Sequence, residues 1–474
     1  MLNVKTAPDT IEAISDDVLD DFEKKIRGDV LRPDDERYDE ARKIWNGMFD
    51  KYPAAIVQCQ NTADVVTAVN LAREHDLLVS VRGGGHNVAG HAVCDDGLMI
   101  DLSQMKGIHV NPHSRTARVQ PGVDLGDLDS ETQLFDLATP TGIVSETGLA
   151  GLTLGGGFGW LTRKYGFTAD NLLSAEVVTA DGSVVQASEE DNADLFWGIR
   201  GAGGNFGIVT SFEYRLHPLD RTVLGGVLIH PMERATDLLR YYREFTARAP
   251  RELGSLFVVR LAPPAPFLPE AVHGKPICGI IVCYAGDVED GERVLQPLRD
   301  FGEPLADKIG PKSYVAMQSM LDQGQTDGHQ YYSKTEYLPQ LRDEPIETIV
   351  TYAATISSPI TRVVLMQHGG AVRDWNEMDA AVSHRDAEFV LALNNGWSDP
   401  ADDERQIQWT RDFWTAIRPF ATVGAYVNFL SADEGQDRVR AAYGDEKYRR
   451  LVQLKNKYDP TNFFRLNQNI RPSV

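Results

Sequence analysis

The stretch that decides the fold is VRGGGHNVAGH at residues 81–91, in which a histidine directly follows three glycines. Adjacent glycines lose more conformational entropy on folding than other residues do. In return, they permit backbone conformations closed to other residues and the close approach of a bulky group. His86 is expected beside that group, which could be another segment of the chain, a metal ion, a phosphate or a cofactor ring.

Two further segments are dense in glycine, GLAGLTLGGGFG at 148–159 and GIRGAGGNFG at 198–207. Neither matches GxGxxG, because Phe206 occupies the position of the third glycine in GAGGNFG, and GxxxxGK[ST] does not occur. The loops of nicotinamide-dependent enzymes and nucleotide hydrolases are therefore not indicated. Backbone N–H groups in such loops can instead hold a pyrophosphate without a lysine. These loops contain little positive charge beyond Arg82 and Arg200.

The composition is that of an acidic globular protein. The chain has 474 residues, of which 42% are hydrophobic and 24% charged, and a net charge of −22. Its length favours two or three domains. The negative charge argues against nucleic acid, which is bound by neutralising its phosphates with Lys and Arg, and against anionic membrane surfaces. The acidity fits a solvated surface, and it is also compatible with a high-salt environment.

The cysteines and the N-terminal sequence predict a cytoplasmic protein. The four cysteines form no CxxC pair and show no metal-ligand spacing, so no metal site is expected. The N-terminal sequence MLNVKTAPDT lacks the pattern of a secretory signal. No apolar run approaches the roughly 20 residues that span a bilayer. The expected compartment is reducing, with no membrane partner.

The periodicity of the chain predicts alternating strands and helices. The first 30 or so residues are charged and are predicted to be helical. Residues 54–60 are predicted as a strand, and 61–77 as a helix capped by Asn61. Residues 98–122 read as three strands and 174–188 as a hairpin around Asp181-Gly182. Residues 220–420 alternate strands and helices, which indicates a second domain with an antiparallel sheet. Residues 426–431 are predicted as a strand, and 447–472 as a helix followed by an ending that a proline stops.

Four motifs together resemble the vanillyl-alcohol-oxidase-type flavoproteins, and within them the berberine-bridge-enzyme-like FAD-linked oxidases. The motifs are RGGGH at 82–86, GLTLGGGFGWLTRKYGFTADNLLSAEVVTADG at 151–182, DLFWGIRGAGGNFGIVTSFEYRLHP at 194–218 and YDPTNFFRLNQNI at 458–470. The resemblance extends over nearly the whole chain. It implies an α+β fold with a discontinuous FAD-binding domain, 1–217 completed by 424–474. Residues 218–423 are then the substrate-binding domain, whose antiparallel sheet covers the flavin.

By this resemblance, His86 is the residue that bonds covalently to the 8α-methyl group of the flavin. An imidazole nitrogen that is unprotonated near neutral pH is a competent nucleophile for this bond. The alternatives are a histidine that caps a turn and, less favoured, a zinc site with His91. Some relatives attach the flavin a second time through a cysteine, but Val144 stands at that position here, so a single bond is expected. Val88 also departs from several plant relatives, which carry an active-site tyrosine there.

The resemblance also implies a backbone cradle for FAD in the glycine-rich loops. For any one glycine the alternative is a plain turn, but that explanation is poor for the whole set. The cradle residues are Arg82, Gly83, Gly84, Gly85, Asn87, Thr147, Gly148, Gly151, Thr153, Gly155, Gly156, Gly157, Asn171 and Ile208.

The expected catalytic groups are Tyr426 and Asn428, from the Tyr-x-Asn segment of the resembled family, with Gln367 and Asn394. Tyr426 is predicted to be a base or proton relay, and the alternative is a tyrosine packed in a strand. Period-two alternation puts Gln367 and His368 on opposite faces of one strand, and Asn394 and Asn395 on opposite faces of another.

Two further comparisons with the family bear on the reaction. Val390 and Leu391 replace the glutamate of the plant ring-closing relatives, so that reaction is not expected here. The pair His384-Arg385 matches a recurrent pair of the family and is interpreted as structural.

The resemblance and these residues together imply an FAD-dependent oxidase that takes a hydride from the CH–OH carbon of a sugar or another alcohol and passes electrons to O2, giving H2O2. The alternatives are a CH–NH substrate, a dehydrogenase with another electron acceptor, or a flavin-binding protein without turnover. The sequence does not indicate the substrate or the oligomeric state.

Overall fold

The structure is a computed structural model that describes residues 2–6, 10–422 and 424–473. Its first sheet has a parallel core of strands Ala55–Gln58, Leu98–Asp101 and Val79–Arg82, with Asp29–Leu31 added antiparallel. Helix Thr62–Glu74 begins after Asn61, whose side chain accepts a hydrogen bond from the N–H of Asp64, as predicted. The glycine loop starts where strand Val79–Arg82 ends.

A second, antiparallel sheet packs beside the first. Strands Leu172–Val178 and Val184–Ser188 form the predicted hairpin, and Gly182 in its turn has a φ of +82°, which favours glycine. The order of the strands is 184–188, 172–178, 208–215, 116–119 and 108–111. The three strands predicted between 98 and 122 are therefore confirmed, although they are divided between the two sheets.

The prediction of helix over the first 30 residues is largely wrong. The segment contains strands Leu2–Lys5, Ile11–Ile14 and the start of Asp29–Leu31, and a helix at Asp16–Glu23. Strand pairing with residues 56–58 decides the structure at its end, so tertiary contacts override a composition that favours helix. Residues 7–9, which the helix prediction also included, lie outside the described residues.

The middle of the chain forms the large antiparallel sheet that was predicted, here called the substrate sheet. Its strands, in sheet order, are Ala306–Asp307, Thr222–Pro231, Pro276–Tyr284, Leu253–Leu261, Arg362–Gln367, Phe389–Trp397 and Gln330–Leu338, with Gly310–Ser313 paired to Thr222–Pro231. Helices Ala235–Thr246, Val288–Arg299, Asp343–Ala353 and Asp403–Ile417 bury apolar side chains against one face. The other face turns towards the glycine loops.

The remaining helices lie mostly in the part of the chain that carries the glycine loops. They are Tyr38–Ala41, Leu125–Gln133, Leu149–Leu154, Thr162–Tyr165, Ala193–Ile199, Tyr314–Gln318, Gln436–Tyr443 and Asp445–Tyr458. The short pair Leu137–Ala138 and His217–Pro218 completes the strands. Within the described ranges, no helix is long and apolar enough to cross a membrane.

The C-terminal segment corrects one prediction and confirms another. Residues 426–431 are not a strand, because Val427–Phe429 form a 3-10 turn in which the N–H of Phe429 donates to the carbonyl of Tyr426. The helical tail is confirmed at Asp445–Tyr458. In its last turn, the buried Lys455 pairs with Asp459 at 2.7 Å and donates to the backbone carbonyls of Asn205 and Phe464, which fixes the chain end against the glycine loops.

Candidate active site

A cavity of about 360 Å³ lies between the glycine loops and the substrate sheet. It is lined by loop backbone on one side and by side chains of strands Arg362–Gln367, Phe389–Trp397 and Gln330–Leu338 on the other. The turn Val427–Phe429 and the tail residues 466–468 complete its wall. The predicted cofactor loops and the predicted substrate sheet therefore meet at one cavity.

One of the groups that the RGGGH loop approaches closely is another segment of the chain, the loop that contains Gly148. A Cβ at Gly84 would lie 2.5 Å from the Cα of Gly148, and a Cβ at Gly148 would lie 2.6 Å from the Cα of Gly84. Two loops therefore touch backbone to backbone, which requires glycine at both positions. This contact places both loops on the same cavity wall.

The predicted cradle residues divide into two groups. Those that line the cavity are Gly83, Gly84, His86, Asn87, Thr147, Gly148, Gly151 and Ile208. The structure does not place Arg82, Gly85, Thr153, Gly155, Gly156, Gly157 and Asn171 on that wall. Their contacts explain why they lie outside it.

Contacts within the protein occupy this second group. Arg82 forms an ion pair with Asp101 at 2.6 Å. Thr153 is hydrogen-bonded to the hydroxyl of Tyr214 at 2.7 Å, and the amide of Asn171 donates to backbone carbonyls. These contacts support the loops, and direct binding of FAD by these residues stays a prediction.

Gly155 and Gly157 are close to the C-terminal turn rather than to the cavity. A Cβ at Gly155 would overlap the amide of Asn428. The N–H of Gly157 donates to the hydroxyl of Tyr426 at 3.0 Å. The GGGFG loop thus positions the Tyr-x-Asn segment.

The cavity wall carries no charged side chain. Among the described residues that line it there is no lysine, arginine, aspartate or glutamate. Gly151, Gly203 and Gly204 have open space where a Cβ would stand, and the buried Oδ1 of Asn467 has no hydrogen-bond partner. Open space beside these glycines leaves room for a bulky ligand, and an orphaned amide oxygen suits a ligand that donates to it. These residues fit FAD.

His86 lines this cavity, with its ring partly accessible. The ring stacks on the indole of Trp45, with centroids 5.5 Å apart and planes at 13°. Burial lowers the pKa of His86 below its usual range, although the carboxylates of Asp327 and Asp124 act in the opposite direction. The imidazole is therefore neutral near pH 7, which leaves one ring nitrogen with a free electron pair.

Tyr426 and Asn428 meet at the cavity wall, as predicted. The amide Nδ2 of Asn428 donates to the hydroxyl of Tyr426 at 3.0 Å and to the carbonyl of Leu152 at 3.2 Å. Burial raises the pKa of Tyr426 to about 12, although the bonds from Asn428 and Gly157 favour the phenolate. The phenol is therefore protonated at neutral pH, so the structure favours a relay over a base.

The substrate sheet separates the other two predicted catalytic residues. Asn394 lines the cavity, and its Oδ1 lies 3.4 Å from the hydroxyl of Ser333. Gln367 lies on the opposite, helix-covered face, where it accepts from Ser255 at 3.0 Å and donates to the carbonyl of Thr246 at 2.9 Å. Gln367 is therefore wrong as a catalytic candidate.

Several residues of the cavity wall were missed by sequence reasoning. Trp45 stacks on Tyr331 at 3.8 Å, and both line the cavity. Gln468 Oε1 lies 3.1 Å from Nε2 of His91. These residues join segments hundreds of positions apart in the sequence. The only feature of the sequence that pointed to them was an aromatic or amide side chain near a glycine loop or in the tail.

The described cysteines lie away from the wall, while Val144 lines it. Within the described residues, no group of three or more His, Cys, Asp or Glu side chains is arranged to hold a metal ion.

Arg385 forms a buried ion pair with Asp170 at 2.6 Å, as expected for a structural residue.

Comparison with known proteins also indicates an FAD-binding protein. Residues 53–188 match the FAD binding domain family, and residues 425–471 match the family described as berberine and berberine like. The chain is 34% identical over 460 residues to an FAD-linked oxidoreductase of Dictyostelium discoideum, which covers 96% of this chain and 97% of that protein.

Named oxidases are also similar. The (R)-6-hydroxynicotine oxidase of Paenarthrobacter nicotinovorans is 32% identical over 94% of this chain and 97% of its own length. The carbohydrate oxidase of Microdochium nivale is 29% identical over 89% and 88%. The crystal structure of 6-hydroxy-D-nicotine oxidase from Arthrobacter nicotinovorans superposes with a TM-score of 0.85 at 30% identity, covering 94% of this chain and 98% of that one. The chain belongs to the berberine-bridge-enzyme-like branch of the vanillyl-alcohol-oxidase-type flavoproteins, and it is an FAD-linked oxidoreductase.

Proposed function

We propose that this enzyme holds FAD through one covalent bond to His86 and oxidises a CH–OH group of a sugar or another alcohol, passing the electrons to O2 to give H2O2. The observation that carries the proposal is a neutral histidine on the wall of an uncharged cavity. Bound FAD supplies the acceptor for the substrate hydride.

The surroundings of His86 support a single attachment. The stacked indole of Trp45 restricts the orientation of the imidazole, and the lowered pKa keeps a nitrogen available as a nucleophile. Val144, at the position where some relatives carry a second attachment cysteine, lines the same cavity. A valine side chain has no nucleophilic atom, which supports one bond rather than two.

The substrate side of the cavity supports a hydroxyl compound rather than a cationic amine. Its polar groups include the hydroxyl of Ser333, the amides of Asn394 and Asn428, and the phenol of Tyr426. Such groups donate to and accept from sugar hydroxyls, and no carboxylate is present on the described wall to pair with an ammonium group. Tyr426 would take up the hydroxyl proton of the substrate while it releases its own phenolic proton towards solvent, and Asn428 would hold the phenol in position.

A CH–NH substrate is the second candidate, because a relative at 32% identity is named (R)-6-hydroxynicotine oxidase. A dehydrogenase with another acceptor would keep the same site. Peroxide release from a panel of sugars, other alcohols and amines separates these alternatives: peroxide identifies an oxidase, and the productive substrate identifies the bond that is oxidised.

Acid denaturation of the FAD-loaded enzyme tests the attachment. We expect the yellow colour to precipitate with the chain and to be released in His86→Ala. His91→Ala is the matched control, since His91 lines the same cavity and should leave the colour attached. Colour that is released from the unmodified enzyme, or that stays with His86→Ala, would contradict the proposal.

A further inference from the structure

A row of polar side chains crosses the cavity-facing side of the substrate sheet. Ser333 is paired with Asn394, and Asn394 with Arg362, on three neighbouring strands. The register of the next pair sets Val258 opposite Val364, which places Arg260 opposite Arg362. Since Ser333 and Asn394 line the cavity, the row begins there and ends at two guanidinium groups.

Neither arginine of this row has an acidic partner in the described part of the chain. Arg362 is 7% exposed, and its one hydrogen bond goes to the carbonyl of Gly324. Arg260 donates to the carbonyl of Leu261, the residue next to it. Burial, together with the neighbouring charge of Arg260, lowers the pKa of Arg362 to about 10. Most of the N–H groups of both side chains are left without an acceptor.

Other buried arginines in the described part of the chain are placed differently. Arg385 is paired with Asp170. Arg163 lacks an acidic partner, but its three nitrogens all donate to backbone carbonyls. Arg200 donates to one carbonyl only, but its cationic neighbour Arg385 is neutralised by Asp170. The two arginines of the row instead lie opposite each other with no acidic partner among the described residues, and such like charges repel each other unless an anion joins them. This pair therefore points to a ligand.

We propose that Arg362 and Arg260 bind the carboxylate of an acidic substrate whose oxidisable carbon occupies the cavity. The proposal rests on the proposed function and specifies its substrate class. A guanidinium fork matches a carboxylate through two parallel hydrogen bonds. The described cavity wall carries no acidic residue that would repel such a substrate. Gly324 leaves the space that the guanidinium of Arg362 occupies, because a Cβ there would overlap it.

Calorimetric titration of the FAD-loaded enzyme tests this site with matched pairs, D-glucuronate against D-glucose and benzoate against benzamide. We expect the acid of each pair to bind more tightly. Arg362→Gln should weaken the acid roughly ten- to hundredfold, the value of a charge-assisted hydrogen bond, and leave the neutral compound unchanged. Arg260→Gln, at a less buried position, should act in the same direction.

Arg299→Gln is the matched control, because it removes a partly buried, paired guanidinium outside the cavity. The proposal is overturned if neither acid binds at tens of millimolar, if both arginine variants bind the acids as the unmodified enzyme does, or if inorganic phosphate binds as tightly as the carboxylates. Peroxide assays keep the two claims apart. If the acids bind but no alcohol is oxidised, the carboxylate site is supported and the proposed function is refuted. If sugars are oxidised without preference for acids, the proposed function is supported and the carboxylate site is refuted.

Discussion

Replacing Tyr426 by phenylalanine separates the chemical role of its hydroxyl from its structural role. The oxygen accepts hydrogen bonds from the N–H of Gly157 and from the amide of Asn428, both at 3.0 Å. The variant removes that acceptor and keeps the ring, which packs against Phe158 at 4.6 Å. The effect on stability can therefore be worked out from the two donors left behind.

The buried N–H of Gly157 loses its acceptor, which costs about 1–3 kcal/mol. Asn428 still donates to the carbonyl of Leu152, so a second full penalty is not expected. A loss of this size leaves a protein of ordinary stability folded. The rate of substrate oxidation should fall much further, by roughly 10²- to 10⁴-fold, if the phenol relays the substrate proton.

Stopped-flow measurement of flavin reduction, together with thermal unfolding, gives both quantities. Tyr242→Phe is the matched control, because its buried hydroxyl is bonded to Ser255 at 2.9 Å on the helix-covered face of the sheet. The control should lose stability without losing rate. If Tyr426→Phe reduces flavin as fast as the unmodified enzyme while its stability falls like that of the control, Tyr426 is only structural and the reasoning is refuted.

Two further substitutions have defined outcomes. In Gly84→Ala, the new methyl group should overlap Gly148, destabilise the enzyme by about 1–3 kcal/mol and reduce FAD loading. Gly310→Ala is the control, because Gly310 has open space where the methyl group would stand, and it should change neither stability nor FAD loading. Thermal unfolding measures the stability, and the flavin-to-protein absorbance ratio measures the loading. Burial raises the pKa of Glu336 from 4.5 to about 7, so the stability that it contributes is present below pH 4.5 and is lost as the pH rises through 7. The difference in free energy of unfolding between the unmodified protein and Glu336→Gln should therefore fall by about 3 kcal/mol between pH 4.5 and pH 7. Denaturant titrations measure this difference, and equal values at the two pH values would contradict the pKa shift.

Local signals in the sequence predicted local structure well. Asn61 caps its helix, and the Asp181-Gly182 turn forms its hairpin, because both depend on contacts within a few residues. The family motifs also placed Tyr426 and His86 at the cavity. Patterns with a specific local contact were therefore reliable, whereas composition and alternation alone predicted the wrong elements in the first 30 residues and at 426–431.

Predictions that depended on distant segments were not reliable. Alternation showed that Gln367 and His368 face opposite ways, but both faces of strand Arg362–Gln367 are buried, so polarity could not show which face meets the cavity. Trp45 is held at the site by distant segments: its indole N–H donates to the carbonyl of Gln325, and the neighbouring Asn46 donates to the carbonyls of Val88 and Tyr331. No local pattern encodes such a bridge.

The electrostatics of the cavity suggest why a covalent bond would be needed here. FAD is an anion, the protein carries a net charge of −22, and the described cavity wall has no cationic side chain to attract the pyrophosphate. In His86→Ala, FAD should therefore bind through backbone N–H groups against a repulsive field. Added salt shortens the Debye length from about 30 Å at 0.01 M to about 10 Å at 0.1 M and screens that repulsion, so the affinity for FAD should stay level or increase with salt. Fluorescence titrations in which salt weakens binding steeply would show instead that cationic side chains hold the cofactor, and would remove this argument for the covalent bond.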